Sequence, residues 1–251
     1  MSKKALGYIV YEGPSELDGS PIVVIINKIN AKSANSKTGD LVQSFIIRSD
    51  INPIEALATG DDAGICGECE HRPFLAKKTG KVPCYVNVGQ SVLSVFKAYK
   101  RGSYVKASPK EVAIYIAGKK LRIGTYGDGA AAPVSVWQEL CAFVSGKVGY
   151  SHQWQNPNFD HKEWAPLVMA SADTEDQAAL ANLFGMRVFR VSIGPDKKAG
   201  EISCPASKEA GAKTTCSNCM LCGGTSKQAK DIVIQDHARG YQKRAIMLAA
   251  A

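Results

Sequence analysis

Seven of the eight cysteines fall into two groups, and their spacing is the feature of this chain best suited to chemistry. The tighter group is Cys216-Ser-Asn-Cys219-Met-Leu-Cys222-Gly-Gly, preceded at a distance by Cys204-Pro205. Two residues between cysteines let the backbone turn and bring the sulfurs to one side. Gly223 and Gly224 then permit positive φ and close backbone approach. Four thiolates without a cation would repel one another, and a metal removes that cost. Structural zinc sites usually come as two separated C-x2-C pairs, or one such pair with two histidines. A three-plus-one grouping with a remote Cys-Pro is the ligand pattern of bacterial ferredoxins, here with the Cys-Pro first rather than last. The spacing therefore predicts a [4Fe–4S] cluster on Cys204, Cys216, Cys219 and Cys222, with zinc as the alternative.

The second group is looser. Cys66-Gly-Glu-Cys69-Glu-His71 and the later Pro83-Cys84-Tyr85 offer three thiolates and one imidazole. With His71 the set is Cys3His, a standard zinc composition. Without it, Cys66, Cys69 and Cys84 could hold a cluster that keeps one iron open to a substrate or cofactor. The alternative is three buried thiols with no metal. Cys141 stands alone in the apolar stretch Val134–Val144 and reads as an inert buried thiol.

Between the two groups lies Leu121-Arg-Ile-Gly124-Thr-Tyr-Gly127-Asp-Gly129, a glycine-rich turn from a strand into a helix. Backbone N–H groups at such a junction can cradle an anion, so Arg122, Gly127, Asp128 and Gly129 are candidate residues for a small-molecule cofactor. The competing reading is a tight turn whose glycines serve geometry alone, since neither G-x-G-x-x-G nor a Walker lysine is present. His152, Ser171 and Asp173 fall at comparable strand ends and could line the same cavity, although Asp173 or Thr174 could simply cap the next helix. His161 and His237 have no evident partners. No Ser-His-Asp set or nucleophile elbow is visible, which leaves hydrolase chemistry with little support.

These residues need a frame. Ala5–Tyr11, Ile22–Asn27 and Val42–Arg48 read as strands separated by turn residues, making residues 1–50 β-rich. Asn52–Ala58 reads as a short helix, and Thr59–Pro83 as a long loop. Helices are predicted over Ser91–Lys100, Lys110–Ala117, Val134–Val144 and Thr174–Phe184. The second has Ser108, Pro109 and Glu111 in capping-box spacing, and the last has Thr174 and Gln177. Strands are predicted over Lys120–Thr125, Gly149–Trp154, Leu167–Ser171, Arg187–Ile193 and Asp231–Gln235. Strands alternating with helices imply an α/β fold with a mostly parallel sheet or an incomplete (β/α) barrel, since about five repeats fall short of eight. Residues 1–251 read as one α/β domain, with a Cys-rich metal-binding segment over 200–226.

Composition sets the context. In 251 residues, 45% are hydrophobic and 22% charged, ordinary values for a globular chain. No apolar run approaches the roughly 20 residues that cross a bilayer, and the N-terminus lacks the apolar core of a signal peptide. The expectation is a cytoplasmic protein without membrane contact, where clustered cysteines favour metal or redox chemistry over disulfides. The net charge of +8 admits nucleic acid as a partner of the basic surface. The basic residues are dispersed, with small clusters at Lys97–Arg101, Lys119–Arg122 and Arg239/Lys243/Arg244.

The order of these motifs resembles the phage "gene product 88" domain family over roughly residues 60 to 240. The resemblance runs through Cys84-Tyr85, the interval from Arg122 to Asp128, the aromatic stretch Tyr150–Trp154, Ser171 with Asp173, and finally Cys204-Pro205 with Cys216, Cys219 and Cys222. It implies a phage-encoded protein working in the host cytoplasm and says little about activity. The layout is also distantly similar to radical S-adenosylmethionine enzymes, which implies redox or radical chemistry. Those enzymes carry C-x3-C-x2-C, whereas this chain has C-x2-C-x14-C. The runner-up expectation is a zinc-stabilised nucleic-acid-binding protein without catalytic activity.

Overall fold

A computed structural model describes residues 6–27, 29, 37–80, 84–192 and 197–235. His237 and the Arg239/Lys243/Arg244 cluster lie outside the described residues.

The β-rich start folds as an antiparallel meander of β1 (Gly7–Pro14), β2 (Pro21–Asn27) and β3 (Val42–Arg48). Ile22 to Ile26 form an unbroken apolar run with no exposed surface, as a central strand covered on both faces requires. At β3 the pairing changes from antiparallel to parallel. β5 (Lys120–Tyr126) lies parallel to β3, and β6 (Gly146–Val148) parallel to β5. β4 (Val105–Lys106) adds in parallel to the other side of β1, giving the order β4-β1-β2-β3-β5-β6. The second sheet is wholly parallel, in the order β10-β11-β9-β8-β7. Its strands are β7 (Tyr150–Ser151), β8 (Met169–Ala172), β9 (Val188–Ser192), β10 (Glu201–Ser203) and β11 (Asp231–Gln235).

The fold is thus mixed α/β with two mostly parallel sheets. The chain passes from the first sheet to the second through one residue, Gly149, between β6 and β7. A Cβ there would lie 2.9 Å from Val168 Cγ1 and 3.0 Å from Ile123 Cβ, so the sheets can approach this closely only at a glycine.

The helices begin where capping chemistry places them. Asn52 caps α1 (Pro53–Thr59), Ser108 and Glu111 complete a capping box on α5 (Pro109–Tyr115), and Thr174 caps α8 (Glu175–Leu183). α4 (Leu93–Lys100) follows a π-turn at Val88–Val92, α6 is Val134–Leu140 and α7 is His161–Trp164. The expected loop Thr59–Pro83 instead contains α2 (Ala63–Cys66) and α3 (Pro73–Thr79). Both are too short for an apolar period to show, and what holds them is a buried ion pair described below. The expected strand Gly149–Trp154 shrinks to β7, because Gln153–Gln155 turns as a 3-10 helix. Among the described residues, no helix is long and apolar enough to cross a membrane.

Two apolar clusters divide the interior. The larger joins β1–β3, β5 and the helices around Trp137, Trp154 and Trp164. The smaller joins Leu41, Val148, Met169, Ile232 and Ile234 to Cys204, Met220 and Cys222. β9 separates them by alternation: Val188 belongs to the first, Phe189 and Val191 to the second. One face of the second sheet therefore carries α8, and the other carries the cysteine segment.

Candidate metal centre

The first cysteine group sits where strands end. Asp128, just past β5, donates its N–H to the Ile65 carbonyl (2.7 Å), and Gln153, past β7, donates Nε2–H to the Cys66 carbonyl (2.9 Å). Between Cys66 and Cys69, Gly67 adopts φ +52°, where a Cβ would run into the Gln153 amide. That glycine lets the loop lie against β7. Cys84 is brought back by its N–H to the His71 carbonyl (2.7 Å). Beneath the loop Arg72 Nε and NH2 meet Asp62 Oδ1 at 3.0 and 2.8 Å, and NH1 reaches the Gly67 carbonyl at 2.8 Å.

Burial pushes the Cys66 thiol well above the ordinary range and Cys69 up to about 12, and each of the three cysteines lies within electrostatic reach of another of the group. Without a cation these thiols stay protonated. The Tyr126 hydroxyl, beside Cys66 and Cys84, is buried with no hydrogen-bond partner. An unpartnered buried donor facing thiols fits a site that receives an electron-rich group.

The second group converges from two elements. Cys204 follows β10 and donates its N–H to the Val233 carbonyl (2.8 Å). Cys216 and Cys219 bracket α9 (Cys216–Cys219), whose first turn is held by N–H bonds from Cys216 to the Lys37 carbonyl (2.8 Å) and from Ser217 to that of Thr38 (3.0 Å). Met220 then takes φ +53°, unusual for a residue with a side chain, and packs against Gly146. This reversal returns Cys222, whose carbonyl accepts the Gly149 N–H (3.1 Å). Arg187 clamps the exit: NH1 donates to the carbonyls of Leu221 (2.7 Å) and Gly224 (3.0 Å), and NH2 to that of Lys230. Of the two glycines expected to adopt positive φ, Gly224 does so (+61°), while Gly223 makes room for the Lys147 carbonyl. Cys216 and Cys222 each lie within electrostatic reach of Cys204 and Cys219, and burial pushes Cys222 up to about 12.

Arg122 lies between the groups. Tyr85 bonds it, and Tyr150 and Cys216 stand close by, while Cys84 on the other side lies within reach of its charge. Burial alone would lower its pKa, but these acidic neighbours more than offset that and keep it charged. Lys120 donates Nζ–H to the Ser217 carbonyl (2.5 Å). The Lys119–Arg122 cluster is thus not a simple basic patch, because two of its members serve the cysteine segment. At Lys97–Arg101, Lys100 donates to the Ser49 carbonyl (3.1 Å) and lies over Phe96.

The glycine turn has packing reasons of its own. A Cβ on Gly127 would stand 2.7 Å from Ile46 Cβ, and one on Gly129 2.9 Å from Ile123 Cγ2. The buried Asp128 carboxylate stitches strand ends together, accepting from Ser151 Oγ (2.8 Å), Ala130 N–H (3.0 Å) and His152 N–H (2.8 Å). Burial raises its pKa despite those bonds. Thr174 caps α8, and the Asp173 carboxylate meets His71: Nε2 lies 2.9 Å from both of its oxygens. His152 brings its ring edge-on to His71, centroids 5.6 Å apart. His161, which had no evident partner in the sequence, bonds the Trp154 carbonyl (2.7 Å) and stacks on Phe184. Ser171 is buried and uses its carbonyl to accept from Trp154 Nε1 (2.7 Å). Cys141 lies apart from both groups, against the larger apolar cluster.

Comparison of the chain with protein-family models, with curated proteins and with solved structures finds no match. The site's geometry therefore carries the functional reading by itself.

Proposed function

We propose that this is a phage-encoded iron–sulfur protein in which Cys204, Cys216, Cys219 and Cys222 hold a [4Fe–4S] cluster. Cys66, Cys69 and Cys84 would hold a second with one open iron, and the parallel strands on either side of Gly149 would act together as an incomplete (β/α) barrel. The observation that carries this reading is the return of Cys204, at the end of β10, onto the C-x2-C-x2-C turn around α9. Spacing in sequence does not require that convergence.

A single tetrahedral zinc at about 2.3 Å from each sulfur would draw them to roughly 3.8 Å apart, whereas a cubane binds each thiolate at a separate corner. The Tyr126 hydroxyl, buried and unpartnered beside the first group, would gain an acceptor from thiolates bound to either.

When bound, such clusters supply one-electron transfer, and an open iron supplies a point of attachment for a substrate. The chain's own contribution is to bury the thiols, to fix them by backbone hydrogen bonds and to hold the Arg122 charge between the groups. With four protein ligands the C-terminal site is closed, so chemistry belongs at the Cys66/Cys69/Cys84 group.

Two variants test the assignment. Cys219→Ser should lose the metal of the C-terminal group, while Cys141→Ser should leave metal content unchanged; equal metal in both would refute it. Tyr126→Phe gives a separate check, because it removes a buried hydroxyl that has no partner in the metal-free protein. The metal-free form should gain about 1 kcal/mol in urea unfolding, and the loaded form should gain less or lose stability.

A further inference from the structure

We infer that His71, His152 and Asp173 form a mononuclear site for a divalent first-row transition ion, separate from the cysteine groups. Each offers one donor atom, and these atoms all lie within 4.8 Å of one another. Among the described residues they are the one trio of His, Cys, Asp or Glu side chains that close.

The spacing suits an ion. Donors about 2.1 Å from a metal and at right angles to one another stand about 3.0 Å apart. His71 Nε2 lies 2.9 Å from Oδ1 and 2.9 Å from Oδ2 of Asp173. A metal replaces the proton of such a pair and sits off the N–O line, at the apex of a triangle with imidazole nitrogen and carboxylate oxygen.

The three donors come from three separate turns, and each residue is placed by its backbone. His71 accepts the Cys84 N–H on its carbonyl and precedes the anchored Arg72. His152 gives its N–H to Asp128 Oδ2 at 2.8 Å. Asp173 gives its N–H to Gln177 Oε1 at 2.8 Å, and Thr174 does the capping that Asp173 would otherwise do.

Two imidazoles and one carboxylate suit Fe(II) or Zn(II) and leave coordination positions over. The side chains of His71 and Asp173 keep 21% and 15% of their surface exposed, so water or a substrate can reach those positions. Asp173 also lies within electrostatic reach of Cys69, which puts the ion beside the open cysteine group. The inference stands without the iron–sulfur reading, because none of its ligands is a thiolate.

Co(II) is the probe. Metal-free full-length protein would be titrated anaerobically with Co(II) and followed by absorption and paramagnetic proton NMR. Thiolate-bound Co(II) gives intense sulfur charge-transfer bands, whereas imidazole ligands give strongly shifted, exchangeable N–H resonances. Two such resonances are expected, both retained in Cys219→Ser. His152→Gln should remove one of them and weaken Co(II) binding at this site by about 100-fold. Asp173→Asn should weaken it similarly, with circular dichroism confirming that both variants are folded. Cobalt bound only with sulfur bands and no shifted N–H, or no cobalt bound at all, would overturn the inference. So would two N–H resonances that persist in folded His152→Gln. Labile sulfide content, which tests the cluster reading, is unaffected by any of these outcomes.

Discussion

Arg72→Ala is expected to cost about 3–5 kcal/mol of folding stability, the price of breaking a buried ion pair from one side. Arg72 is 6% exposed and Asp62 1%, so the abandoned carboxylate would have no water to turn to. The substitution also orphans the carbonyls of Gly60 and Gly67, which accept from NH2 and NH1 at 2.5 and 2.8 Å. Urea unfolding would measure the loss. The more exposed Arg48–Asp50 pair (2.9 Å) gives the contrast, since Asp50→Ala there should cost less than about 1 kcal/mol. Because Arg72 holds the turn that carries Cys66 and Cys69, Arg72→Ala should also lose metal at the first group while the C-terminal group keeps its own. Asp62→Ala combined with Arg72→Ala should cost less than the two single effects added, because the pair then leaves together.

Glu201→Gln should cost a similar 3–5 kcal/mol at neutral pH, for a related reason at the other cysteine group. Arg190 Nε and NH2 reach Glu201 Oε1 and Oε2 at 2.6 and 2.7 Å, with both side chains under a tenth exposed. Glu201 opens β10, an edge strand paired with β11, and β10 delivers Cys204. The hydrogen bonds from Arg190 hold the Glu201 carboxyl below its ordinary 4.5, against the opposing effect of burial. Since the folded pKa is lowered, the stabilisation is complete above the unfolded value and fades as pH falls through the folded one. The native protein should therefore lose stability below about pH 4.5 more steeply than Glu201→Gln. Parallel acid-unfolding curves for the two proteins would contradict this account of the pair.

Much of this site was legible in the residues, and what was hidden has a physical reason. Capping chemistry is local, so the starts of α5 and α8 follow directly from Ser108/Glu111 and Thr174/Gln177. The apolar runs of β2 and β3 are equally plain. Short elements held by distant partners leave no periodic trace, which is why α2 and α3 lay concealed in an expected loop: Asp62 and Arg72 alternate with nothing. Cysteine spacing indicated which sulfurs could group, but the union of Cys204 with α9 depends on β10 pairing with β11. The glycine turn suggested anion binding, and only packing distances at Ile46 and Ile123 supply Gly127 and Gly129 with another purpose. Spacing makes His71 a candidate fourth ligand for the first cysteine group, but does not reveal its contact through Nε2 with Asp173, a residue 102 positions away.

The central claim concerns the cargo of the cysteines, and elemental analysis tests it most directly. Iron, zinc and acid-labile sulfide would be measured per chain on native protein purified without oxygen. The account predicts a coloured protein with at least four iron atoms and four labile sulfides per chain for the closed C-terminal site, both falling on Cys219→Ser. A colourless protein with stoichiometric zinc and no labile sulfide would contradict it.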